Sequence, residues 1–210
     1  MKIAYFDPFS GASGDMILGA LIDAGLRLTD LTMMLSKLEL SGYRIGAERV
    51  GQHGVHGTRV TVSVFEDVYS RTWGDIRQLI EESGLELAVK TAALQIFERL
   101  AVAEAKIHNT TPDEVHFHEV GGADAIVDIC GACIGLALMQ IDAVMCGPLQ
   151  LGHGFATSAH GTIPVPAPAT LELLAEAKAP AARPTPLIAE TPAELLTPTG
   201  AAILTTLATF

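Results

Sequence analysis

The chain has 210 residues, 49% of them apolar, and a mean hydropathy of +0.37, enough for one sizeable core and too apolar for a disordered polypeptide. A formal net charge of −11 excludes a general nucleic-acid binder, because no basic surface is available to neutralise phosphates, while it leaves the surface tolerant of cations. The longest apolar run, Ile129 to Met139, is about half of a bilayer span, Asp7 interrupts any signal-peptide apolar region, and three cysteines make no disulfide framework, so no membrane segment and a cytoplasmic location are expected.

In chain order, residues 2–6 (KIAYF) read as a short buried strand. A Gly/Ser loop follows, then an apolar helix from about Asp15 to Ala24 that Gly25 ends. Thr29 or Asp30 is expected to cap a second helix reaching about Glu39. Residues 43–50 and 58–65 alternate like two strands around the turn GQHGVHG. A short helix begins at Asp75. The stretch LELAVKTAALQIFERLAVAEAKIH is a long amphipathic helix with a stripe at Leu94, Phe97, Ala101 and Ala105. A helix from about Gly122 to Gln140, a strand AVMCGPLQL, a helix entered through PVPAPATLELLAEA and a closing helix in ELLTPTGAAILTTLATF complete the order. Residues 179–193 are rich in proline and read as a surface connection. Strands interleaved with helices predict an α/β fold in one domain over 1–210, a mixed sheet with packed helices.

The stretch HFHEVGGADAIVDI, residues 116–129, is the densest in chemistry. If His116 to Glu119 is extended, His116 and His118 share one face and Glu119 takes the other. On the helix that follows, Asp124 and Asp128 lie one turn apart, and Gly131 and Gly135 continue their stripe as bare backbone. Like charges at that spacing repel unless a cation or basic group offsets them. The imidazole and carboxylate set suits nickel, zinc or iron better than magnesium or calcium. Two solvated aspartates are the plainer alternative.

The loop FDPFSGASGDM is a second candidate. Ser10, Gly11, Ser13 and Gly14 stand before a helix amino terminus, whose unpaired N–H groups can cradle a phosphate. It is neither a P-loop nor a dinucleotide fingerprint, and Asp7 and Asp15 would need a metal or a sugar hydroxyl to offset their charge. A tight strand–helix turn explains it equally well. His153 and His160 lie in a loop, GHGFATSAHG, and His53 and His56 in a turn. Thr197 is a helix cap, Pro198 the first helical residue, and Thr199 faces the helix mouth, a place for an anion or simple capping. Cys130 and Cys133 fall mid-helix among apolar residues and read as core.

Taken together, FDPFSGASGDMILGALIDAG, AEAKIHN, HFHEVGGADAIVDICGA, HGTIPVPAPATLELL and ELLTPTGAAIL, in this order, resemble the amino-terminal half of the LarC family of nickel-insertion proteins. The resemblance runs from Met1 almost to Phe210. It implies nickel insertion into pyridinium bisthiocarboxylic acid mononucleotide, forming a carbon–nickel bond flanked by two sulfur ligands and so the cofactor of lactate racemase. It also implies a dependence on CTP with magnesium or manganese, bound by a carboxy-terminal half, and a lyase-type cyclometallase. Family members often carry a histidine-rich stretch ahead of the short helix near Asp75. This chain has only VFEDVYSRTWGDI there, so a loosely held nickel store is not expected.

On that resemblance the metal candidates are His116, His118, Asp124, Asp128 and Asp7. Glu119 is the candidate base for the ring proton, with Asp15 as a second catalytic group. The mononucleotide is expected at Ser10, Gly11, Ser13, Gly14, His160, Thr197 and Thr199. A separate carboxy-terminal chain and a homo-oligomer are the expected partners. The alternatives are a metal-dependent phosphoester hydrolase, using the same groups with a metal-bound water, and a non-catalytic module that binds nickel or substrate.

Overall fold

The computed structural model describes residues 1–52, 54–65, 71–115, 117, 120–158, 161–183 and 194–210. The expectations for His53, His116, His118, Glu119, His160 and most of the proline-rich connection lie outside the described residues.

Strand β1 (Ile3–Phe6) leads into helix α1 (Gly14–Asp23), where Gly25, at φ 115°, lets the chain turn back so that the Leu26 amide reaches the Leu21 carbonyl. Helix α2 (Leu28–Leu35) starts earlier than expected. Its cap position is Arg27, and Asp30 sits inside the first turn, gripped by the Arg27 guanidinium at 2.6 and 2.8 Å. Strands β2 (Tyr43–Gln52) and β3 (Val55–Val64) are longer than their alternation suggested, because pairing continues through the polar GQHGVHG segment down to Gln52 opposite Val55.

Helix α3 (Trp73–Glu82) opens two residues before Asp75. Thr72 and Asp75 form a reciprocal capping box, so Asp75 is the third helical residue. Helix α4 (Leu87–His108) buries Phe97, Ala101 and Ala105 as its stripe predicts, while Leu94 lies at the edge of the stripe, half-buried. Phe97 meets Phe117 at 6.4 Å between ring centres, which ties the segment after α4 to the core.

Helix α5 (Ala123–Leu138) is the centre of the molecule. It packs against α1, α2, α4 and α7 (Pro198–Leu207), and nearly all of its residues are buried. Gly131 and Gly135 are bare because α1 lies on them: a Cβ at Gly135 would stand 2.9 Å from Leu21 Cδ1, and one at Gly131 3.0 Å from Leu18 Cδ2. On its other side α1 meets the hairpin so closely that a Cβ on Gly19 would stand 2.5 Å from the Thr58 carbonyl oxygen. The hairpin is thereby held across α1, facing the amino-terminal end of α5.

The α/β class holds, with the strands in several small sheets. The described strands divide into a three-stranded sheet, β1-β4-β9, and three two-stranded pairs. β4 (Ala143–Cys146) runs parallel to β1 and to β9 (Ala208–Thr209). The expected strand AVMCGPLQL breaks at Gly147-Pro148, where proline offers no ladder donor, and resumes as β5 (Leu149–Gln150), paired with β8 (Ala181–Ala182). The expected loop around His153 is in part a hairpin, β6 (Gly154–Ser158) with β7 (Gly161–Val165), ahead of α6 (Pro168–Ala177). No helix among the described residues is long and apolar enough to cross a membrane.

Candidate functional site

A cleft of about 660 Å³ opens where α1, α5 and α7 begin, with β3 as its far wall. Its lining includes Ser13, Asp15, Asp124, Asp128, Thr197 and Thr199 from the sequence-derived candidates, together with Val120, Thr58, Arg59, Thr61 and Glu194. Three segments far apart in sequence converge here because the loop after β1 is stitched to residues 195–197. The Ala12 amide donates to the Leu195 carbonyl at 2.8 Å, and the Thr197 amide to the Ala12 carbonyl at 3.1 Å. That crossing is why residue 11 is glycine: at φ 108° its missing Cβ would stand 2.1 Å from the Leu195 oxygen.

Asp128 is the unusual group. Only 8% exposed, it lines the cleft with its Oδ1 lacking a hydrogen-bond partner among the described residues. Burial, with the charges of Asp15 and Asp124 added to it, pushes its carboxyl up to about 8, and a hydrogen bond from the Asp15 amide opposes the shift. Gly14 exists for this residue. A Cβ there would fall 2.4 Å from the Asp128 Cβ and carboxylate, so glycine lets α1 seat itself on the side chain. Asp124, one turn earlier, is exposed.

The Ser13 hydroxyl donates to Asp15 Oδ1, which also accepts from the Met16 amide at 2.9 Å. Thr197 caps α7, its Oγ1 accepting from the Gly200 amide at 3.2 Å and standing 3.0 Å from Thr199 Oγ1, so two hydroxyls face the cleft as a pair. Arg59 is the cationic side chain of the described lining, 3.7 Å from Glu48 on the neighbouring strand.

Other candidates fall elsewhere. Asp7, Ser10 and Gly11 line a separate hollow of about 230 Å³ beside Tyr5 and Phe9. The amides of Gly11, Ala12, Asp15 and Met16 are already engaged within the protein, so the loop does not offer them as a phosphate cradle. His153 lines a third hollow with Arg183, and His56 is a strand residue opposite Gly51. Among the described residues, no three His, Cys, Asp or Glu side chains are placed to hold a metal ion by themselves.

Sequence reading missed Thr58, Arg59 and Thr61. They look like ordinary strand residues, and only the hairpin's position across α1 brings them to the cleft. Cys130 and Cys133 are core, as expected: both are buried mid-helix, and burial pushes the Cys133 thiol up to about 12 and raises Cys130 well above the usual thiol range. Replacing both by alanine is expected to lower stability by roughly 1–3 kcal/mol through lost packing. Nickel affinity should barely move. Calorimetric nickel titration beside a thermal melt checks this, and lost affinity at an unchanged melting temperature would give the thiols a metal role.

The nickel insertion protein family matches residues 4–210. The chain is similar to a putative nickel insertion protein of Thermomicrobium roseum, 51% identical over 100% of this chain and 51% of that protein. It is also similar to the pyridinium-3,5-bisthiocarboxylic acid mononucleotide nickel insertion protein of Desulfitobacterium hafniense DCB-2, 48% identical over 98% of this chain and 49% of that one. The chain thus spans about half the length of the curated relatives it matches. No solved structure matches it.

Proposed function

The chain belongs to the nickel insertion protein family, and from that premise we propose that its cleft binds nickel and pyridinium bisthiocarboxylic acid mononucleotide for insertion of the metal. Nickel is cargo here, to be held and then surrendered. His116 and His118 supply nitrogen donors, and Asp124 and Asp128 supply oxygen donors. Such a mixed set yields the ion to the substrate's sulfur atoms, which hold nickel more strongly. Forming the carbon–nickel bond releases a ring proton, and Glu119 is the base that takes it, with Asp15 at the cleft edge as a second proton-handling group. Asp7, in its separate hollow, is left out of this set.

What carries the reading is the placing of Asp128. A buried carboxyl oxygen without a hydrogen-bond partner among the described residues lines the same cleft as Asp124, and as Val120, the residue that directly follows His118 and Glu119. A buried acceptor in that state calls for a cation or a donor. The mononucleotide's phosphate pairs with Arg59, and its hydroxyls meet Ser13, Thr197 and Thr199. CTP, with magnesium or manganese, belongs to the half of the relatives that this chain does not cover. The product serves lactate racemase and enzymes like it, and the reaction is cytoplasmic.

Calorimetry with nickel, in the presence and absence of the mononucleotide, tests the assignment. His116→Ala with His118→Ala should abolish tight nickel binding while the melting temperature holds. Arg59→Ala should weaken the mononucleotide ten- to a hundredfold, about 1.5–3 kcal/mol for charge-assisted hydrogen bonds to phosphate. Unchanged nickel stoichiometry in the folded double variant would remove the histidines from the site.

A further inference from the structure

The sheet β1-β4-β9 is parallel throughout. Parallel sheets occur almost only with both faces covered. Here Ala4, Phe6, Val144 and Ala208 pack one face onto the core. On the other face the register sets Tyr5 beside Met145 and Met145 beside Thr209, with Ile3 two residues before Tyr5. Ile3, Tyr5 and Met145 are 44%, 63% and 42% exposed.

Phe9 and Met16, 66% and 48% exposed, extend this surface around the hollow beside Tyr5. The ammonium of Lys2, at the strand's start, is drawn off to the Met139 carbonyl at 2.9 Å. Single exposed apolar residues are ordinary, but five large ones gathered on a sheet face and its rim mark an interaction surface.

We propose that this face seats the half of the protein that the curated relatives carry and this chain does not span. Those relatives have about as much polypeptide again as the matched region. Its chemistry is that of an apolar helix face, the cover that a parallel sheet takes. Met16 lines both the hollow and the nickel cleft, so a cover seated here also reaches the cleft rim. The proposal holds whatever substrate the cleft takes.

The test mixes this chain with the unmatched half of the Thermomicrobium roseum relative, made as a separate polypeptide. Light scattering after size exclusion gives the stoichiometry, and calorimetry the affinity. A one-to-one complex is expected, weakened at least tenfold by Tyr5→Lys with Met145→Lys and unaffected by Phe155→Lys, an exposed residue on the β6–β7 hairpin. Should the double variant misfold, hydrogen exchange on the unaltered chain decides: slowed exchange in residues 3–6 and 143–146 on mixing supports the proposal. No complex, an affinity indifferent to the sheet variant, or unslowed exchange in both strands overturns it. So does a dimer of this chain alone that the same variant dissolves, since a second copy would then own the face.

Discussion

Gly14→Val should cost about 3 kcal/mol or more of stability, lowering the melting temperature by roughly 6–12 °C. The loop's composition suggests something else, a selective loss of mononucleotide binding with nickel binding intact. Packing around Gly14 favours the loss of stability. An added Cβ meets the Asp128 Cβ and carboxylate at 2.4 Å, and these belong to a buried residue on the central helix that cannot swing away as a surface side chain would. The helices α1 and α5 must part, which loosens the core contacts of Leu18 and Leu21 against Gly131 and Gly135. Gly25→Ala is the control. Nothing lies within 4 Å of its added Cβ, so only backbone strain at φ 115° remains, worth about 1 kcal/mol. Thermal melts of the two variants, with nickel and mononucleotide titrations below the transition, check this. A Gly14→Val protein as stable as the parent would show that α1 does not rest on Asp128.

Asp128→Asn should stabilise the metal-free protein at high pH. The carboxyl's folded value of about 8 lies above its ordinary 3.8, so between those limits the folded state keeps a proton that the unfolded state has released. The contribution of this carboxyl to stability is therefore most favourable below about pH 4, falls as pH rises towards 8, and levels off above it. Asparagine mimics the neutral acid and still accepts from the Asp15 amide, but it cannot ionise beside Asp15 and Asp124. Its stability should lack that decline and exceed the parent's by a few kcal/mol above about pH 8. Urea unfolding of both proteins across this range is the measurement. Parallel curves would mean that Asp128 is ionised and paired in the folded protein.

Much of the candidate site was legible in the sequence because its groups lie close together along the chain. Two aspartates one turn apart, Thr197 ahead of Pro198 and the cysteines inside an apolar helix are read from spacing alone, since helical geometry fixes what a spacing of three or four residues means. The Gly-rich loop is open to two readings from sequence. Glycine permits both a phosphate cradle and a close helix crossing, and sequence does not show what fills the vacated space. Gly14 faces Asp128 and Gly11 faces Leu195, so both glycines serve packing, and the amides of Gly11, Ala12, Asp15 and Met16 are engaged within the protein.

By itself, then, the sequence determined the α/β class, the order and type of most elements, the apolar stripe of α4 and the carboxylate stripe of α5. Each follows from local periodicity and the hydrophobic effect. Tertiary structure alone decided which strands pair, that Arg59 and Thr58 face the cleft while Asp7 and Ser10 do not, and that Asp128 is buried while Asp124, on the same stripe, is exposed. The physical reason is the distance along the chain between the partners. Burial and charge at a residue depend on what crosses it, and here the crossing partners, residues 13–16, 57–62 and 194–199, are joined to α5 only through the packing of the whole molecule.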